Sequence, residues 1–490
     1  MRSILLYTLL LGCSTQAAAQ HVDASIGYHF GQGGWSNYYT PKRSIGWSGQ
    51  VKTSHTLNPR TLVGGEVAYT YQTGYEMAGS AWIDPTDKPF NLLEYTEGRE
   101  GRKVLEQYQL GATIRHQIRS ATLGLDASYQ TANYAKQRDL RHQNRLMQLQ
   151  LKPQLLFSFD LWDVGAVYTY RRRTEGVSFN VAGNTDQQYI SLVSYGAFLG
   201  MREYSATLYD GYTSTSSGDR PLVDQWQGLT LQTEFHPDNV LGHNAWSWEH
   251  RTGYYGRETT YTIVYEDHEG NHLSWVSTLG IGQLQKQSGR HQFCLQVEYT
   301  TLQAKERLWN EEQQGGGLTE YVYYDHQQRL EHKNLSAQLN HLWQLQAWTL
   351  QTHVHFWHQQ QMVSYYPRFR KQTLNQYALL FSGSRLWQLR KHQWQATLSL
   401  GWQQGNGTPA DDGTYNGVTA TTRVVSHDRY LQQDFLYHTA QVGQMGVNLR
   451  YSHPQRWSLM ADYHLQHAID GNPYDSPSFN NINFTIGYKY

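Results

Sequence analysis

The chain ends in Ile482-Asn483-Phe484-Thr485-Ile486-Gly487-Tyr488-Lys489-Tyr490, where every second residue is apolar or aromatic. Successive side chains of a β-strand point to opposite faces, so this spacing gives one apolar face and one polar face. The same alternation recurs along the chain, for example in Trp394, Ala396, Leu398, Leu400 and Trp402. The sequence therefore predicts an all-β protein whose strands each bury one face.

The N-terminus predicts export from the cytoplasm. Met1–Ala19 combines a positive charge at Arg2, an apolar core at Ile4–Leu11 and the small residues Ala17-Ala18-Ala19 before Gln20. This order is typical of a secretory signal peptide that is cleaved after Ala19. The alternative is a lipoprotein signal, in which Cys13 would carry the lipid.

The average composition does not reveal that this chain has a membrane-facing apolar surface. Mean hydropathy is −0.67, and the predicted mature chain has no apolar run long enough for a membrane helix. A membrane β-barrel escapes such a scan because only alternate residues face lipid. The 37 Tyr and 16 Trp suit a membrane–water boundary.

Forty basic and 40 acidic residues balance, so the protein has no net field that would attract nucleic acid. If the signal peptide is cleaved after Ala19, Cys294 is the single cysteine left in the mature chain, so a disulfide framework is excluded.

Predicted connections alternate between short and long. Short ones fall near Leu57–Arg60, Ile118–Ala121, Phe159–Trp162, Gln285–Arg290, Gln344–Ala347, Leu389–His392 and Ser452–Arg456. Long polar ones fall near Gln72–Lys103, Thr131–Asn144, Arg173–Gln187, Asp210–Val223, Tyr255–Asn271, Leu302–Arg329, Gln359–Lys371, Gln404–Tyr430 and Ala468–Asn480. This asymmetry is typical of a transmembrane antiparallel β-barrel with short periplasmic turns and long extracellular loops.

The predicted organisation is a signal peptide at residues 1–19 and one outer-membrane β-barrel of 18 to 20 strands at residues 20–490. A β-propeller is disfavoured because no blade-length repeat is present. The first strand and the region Tyr189–Leu208 are the hardest to assign. Strands begin soon after the signal, so we expect no N-terminal plug domain and, at most, a short luminal segment at Gln20–Arg43.

Two resemblances support this prediction. The strand ending at Tyr490 resembles the C-terminal signal recognised by the barrel assembly machinery, which is therefore an expected partner besides membrane lipid. Ile26-Gly27-Tyr28, Gly46-Trp47-Ser48-Gly49 and the Tyr- and Gln-rich hairpins resemble a family of uncharacterised outer-membrane β-barrel proteins of Gram-negative bacteria. The resemblance implies the fold and a location in the cell outer membrane. That family has no settled activity, so it implies no functional residues.

The residues alternate to the apolar ones predict a hydrogen-bonding lumen with scattered charges of both signs, at Arg115, Asp126, Lys152, Glu298 and Asp462. A barrel of this size is wide enough for an aqueous channel. The first functional hypothesis is therefore a passive channel or uptake pore for small polar solutes.

The second hypothesis is a non-conducting accessory or scaffold barrel that partners a surface lipoprotein or a transporter. Aromatic residues in the predicted outer loops suit it as well as they suit the first hypothesis: a single apolar residue on a loop is usually incidental, but clusters mark partner sites. These residues are Trp82, Trp309, Tyr365, Tyr366 and Tyr415. Metal or haem acquisition is a variant of either hypothesis.

Histidine is frequent, at 23 residues. His353 and His355 lie two apart on one predicted strand, so both point into the lumen, as His464 does on another strand. Imidazoles at this spacing predict a candidate metal site at His353 and His355. The alternative is neutral polar lining, since metal sites need three or four convergent groups. No other cofactor is predicted.

Two acidic segments are also candidate cation sites. Glu266–His272 mixes carboxylates and imidazoles in a predicted hairpin tip turning at Gly270-Asn271, and Asp411-Asp412-Gly413 lies in a predicted loop. A solvated turn explains each segment better than a cation site does, and Asp411-Asp412-Gly413 lacks the ligand spacing of a known calcium loop. His427-Asp428 and Asp411-Asp412 match the Asp/His and Asp/Asp pairs of barrel proteases only superficially. The Gly-x-Ser-x-Gly, His-Glu-x-x-His and phosphate-loop motifs are absent from the sequence, so no enzyme is predicted.

Overall fold

A computed structural model describes residues 21–95, 98–182, 189–205, 212–213, 220–237, 240–258, 262–282, 288–314, 318–415, 424–453, 456–469 and 477–489. The predicted signal peptide Met1–Ala19, with Cys13, and the terminal Tyr490 lie outside these residues. No helix in the described part of the chain is long and apolar enough to cross a membrane.

Eighteen antiparallel strands close into a barrel, as predicted. They are β1 (His21–Gly33), β2 (Arg43–Asn58), β3 (Thr61–Met77), β5 (Gly101–Ile118), β6 (Ala121–Lys136), β7 (Arg141–Ser158), β8 (Trp162–Asn180), β11 (Leu222–Phe235), β12 (Val240–Glu258), β13 (Thr262–Ile281), β14 (Ser288–Gln314), β15 (Leu318–Leu345), β16 (Trp348–Tyr365), β17 (Arg368–Leu389), β18 (His392–Thr414), β20 (Val442–Ser452), β21 (Trp457–Ala468) and β22 (Ser478–Lys489). The C-terminal strand closes the barrel against the first, with Tyr28 opposite Phe484.

The outer surface of the barrel is apolar and framed by aromatic residues. Leu398 and Leu400 of β18 are about half exposed and face outward, as the alternation predicts. Near the short turns, ring pairs such as Trp457–Tyr488 lie 4.9 Å apart. Farther up the wall, Trp47 and Tyr69 lie 4.8 Å apart. Aromatic rings at two levels flanking an apolar band are typical of an outer-membrane barrel, and the protein is located there.

The outer connections differ from the prediction in part. Most residues of the predicted loops Tyr255–Asn271, Leu302–Arg329 and Gln359–Lys371 belong to strands, and β16 and β17 join through Tyr366-Pro367 alone. The predicted turn within Glu266–His272 is also wrong, because this segment lies inside β13. Beyond the membrane both faces of the wall can be polar, so the strands continue without the apolar alternation that marks them in sequence.

Three of the long connections fold into the barrel instead of outward. They contribute an inner sheet of order β19-β10-β9-β4 and one helix. These elements are β4 (Asn91–Glu94), β9 (Tyr189–Ser194), β10 (Leu199–Ser205), β19 (Val424–Ser426) and α1 (Asp428–Thr439). The uncertain region around Tyr189 therefore forms no barrel strand. We call residues 78–95, 189–205 and 424–440 the plug.

The plug has a hydrophobic core that it shares with the outer part of the barrel wall. Val193 and Tyr195 of the plug are fully buried in a core that includes wall residues such as Leu222 and Val363. Leu192 is fully buried in a second cluster, together with other plug residues such as Tyr430. Trp82, predicted to be exposed on a loop, is 1% exposed. That prediction was wrong because aromatic residues in a connection carry no sign of whether the connection folds inward.

Candidate functional site

Buried ion pairs attach the plug to the wall on the side of β8. Lys88 of the plug donates to Glu175 over 2.7 Å, and both side chains are 1% exposed. Glu175 also accepts hydrogen bonds from the backbone N–H of Ile83 at 3.0 Å and from Asn144 at 2.8 Å. One wall carboxylate therefore holds the segment that precedes β4 at two points.

Asp224 of β11 organises the charges beside this pair. It accepts from Arg173 at 3.0 Å, from Arg251 at 2.8 Å and lies 2.7 Å from the His268 ring nitrogen. Both arginines reach the plug, because Arg173 pairs with the Asp87 carboxylate at 2.9 Å and Arg251 donates to the Asp87 carbonyl at 2.7 Å. Burial would raise the pKa of Asp87, but Arg173, Lys88 and Arg251 outweigh it and lower the pKa to about 2.

His268, which the sequence placed in a solvated hairpin tip, belongs to this network. Its imidazole is buried against Asp224, and the neighbouring Glu266 is fully buried as well. Across the described residues, no group of three or more His, Cys, Asp or Glu side chains is arranged to hold a metal ion.

On the opposite side, Arg370 of β17 attaches the plug. It donates to the Ala197 carbonyl at 3.0 Å and to the Ser426 hydroxyl at 2.8 Å, and it pairs with Asp412 of β18 at 2.6 Å. Gln361 of β16 accepts from the Ala197 N–H at 3.0 Å. Asp412 therefore lies in a strand and binds an arginine, so the predicted loop at Asp411-Asp412-Gly413 was wrong.

The β9–β10 hairpin turn that Arg370 binds is conformationally unusual. Ala197 and Phe198 have φ angles of 40° and 57°, a region that costs non-glycine residues about 1–3 kcal/mol each. A Cβ atom on the preceding Gly196 would lie 2.8 Å from Val363 Cγ2 and 2.9 Å from Leu330 Cδ1. The turn thus adopts a strained shape that places it directly against the wall.

A third set of contacts joins the plug to β5 and β6 and to its own helix. Lys103 of β5 donates to the carbonyls of Ala78 and Ser80 at 2.9 and 2.7 Å, and Lys136 of β6 pairs with Glu94. The helix contributes through Tyr430, whose hydroxyl accepts from the Gly79 N–H at 3.1 Å. The plug is therefore attached on several sides by polar contacts, in addition to the hydrophobic core that it shares with the wall.

A chamber of about 500 Å³ lies between the plug and β14–β17. The plug side includes Tyr38 from the nearby β1–β2 connection and Tyr437 from α1, and the wall side includes Asn334, Trp357 and Gln372. Trp357 stacks on His438 of the helix with centroids 4.8 Å apart. Aromatic surfaces with a few placed polar groups are the usual lining of a small-molecule site.

Below the chamber, the lumen wall carries hydrogen-bonded charges of both signs. Arg115 and Asp126 pair at 3.1 Å, and Lys52 and Glu66 lie 3.6 Å apart, all facing the interior. Asp462 accepts from Asn483 at 3.3 Å in the same lumen. This polar lining follows the predicted alternation.

His353 and His355 lie on the luminal face of β16, with ring centroids 6.2 Å apart. Each is already hydrogen-bonded to a neighbouring strand, His353 to Asn340 at 2.6 Å and His355 to Ser336 at 3.1 Å. The structure brings no third ligating side chain to them among the described residues. Metal binding at this pair remains a proposal. His355, unlike His353, also lines the chamber.

Sequence reasoning missed the residues that hold the plug. Glu175, Asp224 and Arg370 lie at luminal positions of β8, β11 and β17, and no spacing in the sequence links them to their partners. Glu175 and Arg370 also fall in the stretches Arg173–Gln187 and Gln359–Lys371, which the sequence predicted to be loops. The run Arg171-Arg172-Arg173 shortly before Glu175 is a signal that could have drawn attention to this region.

Residues 12–490 match the profile of a family described as a family of unknown function, DUF6850. No curated protein matches. The outer membrane transporter YddB from Escherichia coli is similar at 8% identity and a TM-score of 0.45, covering 96% of this chain and 81% of that chain. For the ferric yersiniabactin uptake receptor FyuA from Yersinia pestis, the values are 9%, 0.44, 96% and 79%. These similarities concern the fold alone.

Proposed function

This chain belongs to the DUF6850 family, whose function is unknown, and we propose that it is a gated uptake pore for small polar solutes. The observation that carries the proposal is a polar lumen that ends beneath a plug built from the chain's own outer connections. In this reading the plug closes the pore at rest, and solute passes when the plug moves. No energy coupling is included in the proposal.

The contacts of the plug support a movable closure. Besides the hydrophobic core that it shares with the wall, the plug is attached by ion pairs and hydrogen bonds such as Lys88–Glu175 and Arg370–Ala197. Such contacts are strong when dry, but water can replace them once the plug separates from the wall. A permanent scaffold has no comparable need for charged groups at this boundary, because an apolar packing of similar volume is often at least as stable.

Single-channel recording in a planar bilayer tests the proposal. We expect the wild-type protein to be mostly closed, and the double variant Lys88→Met, Arg370→Met to open often with weak charge selectivity. Lys52→Met is the matched control, because Lys52 is 55% exposed in the lower lumen and pairs there with Glu66 of the wall. A double variant that is folded by heat-modifiable gel mobility yet as silent as wild type would contradict the pore.

The second candidate is an accessory barrel that binds a surface lipoprotein or transporter. It is favoured by Tyr366 and Tyr415 at the outer rim, which are 49% and 37% exposed and stack with centroids 6.1 Å apart. Exposed aromatic pairs of this kind suit a protein partner. Affinity capture from outer membranes, compared between wild type and Tyr366→Ser, Tyr415→Ser, tests it. Loss of one specific surface protein with the double variant is expected, and an unchanged set of captured proteins would contradict it.

A further inference from the structure

We propose that the chamber beneath the plug binds a neutral saccharide of one or two rings. This inference rests on the proposed function, since it names the class of solute that the pore would take. It depends on three properties of the chamber, which are paired charges, neutral hydrogen-bonding groups and aromatic rings on the same walls.

The charged residues that line the chamber already have partners. Lys88 is neutralised by Glu175 at 2.7 Å, and Arg251 by Asp224 at 2.8 Å. Asp87 is paired with Arg173, as described above. A charged solute would therefore find no unpaired charge of opposite sign in the chamber. The free energy that it loses by desolvation would not be compensated by an ion pair.

The acidic group on the helix follows the same rule. Asp434 lies 3.7 Å from His438, one helical turn away. Burial raises the pKa of Asp434 and lowers the pKa of His438, so both groups are shifted toward their neutral forms. The helix thus adds polar atoms to the chamber without adding a strong field.

The remaining polar groups of the wall are neutral amides and imidazoles. Gln359, Gln361 and Gln376 line the chamber together with Asn334 and Gln372. Among the described residues, the Asn334 Oδ1 acceptor and the Gln372 Nε2 donor have no hydrogen-bond partner. Hydroxyl groups donate and accept at once, so a sugar ring matches a wall that offers both amide oxygens and amide nitrogens.

The backbone presents Gln372 in an irregular way. Gln372 sits at a β-bulge of β17, where the pairing with β18 shifts between Lys371 and Thr373. Its side chain is 2% exposed and lies across from Gln361, which binds the plug. Bulges often re-aim a side chain beside a functional site. Gln372 is therefore placed where a bound solute and the plug would meet.

The aromatic rings and the volume fit the same ligand class. Trp357 is held in place by its stack on His438, and Tyr38, Tyr39 and Tyr437 line the same space. Aromatic faces pack against the C–H surfaces of sugar rings. A volume of about 500 Å³ lies within the usual range of about 300–1,000 Å³ for small-ligand sites.

Saturation-transfer NMR on the purified barrel tests the inference. The protein is folded in lauryldimethylamine oxide, because this detergent has no sugar headgroup. The panel contains glucose, galactose, maltose, lactose, sucrose and trehalose, with glucose 6-phosphate, glucosamine and the tripeptide Ala-Ala-Ala as charged competitors. We expect at least one neutral sugar to bind, and the charged compounds to bind at least tenfold more weakly or not at all.

Variants locate the binding. Gln372→Leu and Trp357→Leu should each weaken sugar binding at least tenfold, whereas Trp357→Phe should keep most of it. Gln109→Leu, in the lower lumen, is the control that should change nothing. No binding by any panel sugar, preference for a charged compound, or binding insensitive to both leucine variants would overturn the inference. Sugar binding by a barrel whose Lys88→Met, Arg370→Met variant stays silent in the bilayer would contradict the pore and leave the site intact. Openings of that variant, together with a wild-type barrel that binds no panel sugar, would contradict the site and leave the pore intact.

Discussion

Replacing Lys88 by methionine should weaken the docking of the plug without destabilising the barrel strands. Lys88 and Glu175 are 1% exposed and 2.7 Å apart, so the substitution keeps the volume and leaves Glu175 buried without its cation. Breaking a buried ion pair in this way costs about 3–5 kcal/mol. Because the Lys88 segment can leave the wall while the strands stay paired, we expect this cost to fall on plug docking.

The size of the effect follows from the same figure. Since each 1.4 kcal/mol is a factor of ten, the ratio of docked to undocked plug should fall about 100- to 4,000-fold. Hydrogen exchange measured by mass spectrometry should show faster exchange across residues 78–95. The ends of β21 and β22 near the short turns, residues 457–463 and 484–489, should keep their protection.

Two further variants make this result interpretable. Lys52→Met removes an exposed luminal lysine and should leave exchange of the plug unchanged. Adding Glu175→Gln to Lys88→Met removes the stranded charge and should restore part of the protection. The reasoning is refuted if Lys88→Met leaves plug exchange unaltered, or if it accelerates exchange equally in the plug and in residues 457–463 and 484–489.

The remaining predictions concern the membrane face, acid and metal. Leu398→Arg should destabilise the folded barrel by about 2–4 kcal/mol in denaturant titrations, because Leu398 faces lipid, whereas the luminal Thr397→Arg should cost far less; equal costs would contradict the assignment of faces. Since the pKa of Asp87 is lowered to about 2, its ion pairs should be complete above the ordinary carboxyl pKa and be lost only as pH falls toward 2. Plug protection, corrected for intrinsic exchange, should therefore match at pH 7 and pH 5, and a loss at pH 5 that Asp87→Asn abolishes would refute this. If His353 and His355 bind a transition metal, calorimetry should detect saturable Zn²⁺ binding that the double substitution to glutamine removes, and binding unchanged by that variant would exclude the pair.

Features that repeat along the chain could be predicted from the sequence. The alternation around Leu398 and in the last strand before Tyr490 fixes which residues face lipid, because the two faces of a strand differ at every second residue. From it follow the barrel, its location and the polar lining at Arg115 and Asp126. The strand count of 18 lies within the predicted range because short turns are marked by local sequence.

The plug and the chamber depend on contacts between residues far apart in the sequence, which no local sequence pattern predicts. Lys88 meets Glu175 across 87 positions, and Arg370 meets Ala197 across 173. A polar connection has the same composition whether it lies in water or folds into a polar lumen, and Trp82 shows that its aromatic residues can be buried. The alternation of apolar and polar residues, with the apolar face toward lipid, therefore determined the barrel by itself. The closure of the lumen and the shape of the chamber were decided only by the tertiary structure, because they depend on side chains that are distant in sequence and meet inside the barrel.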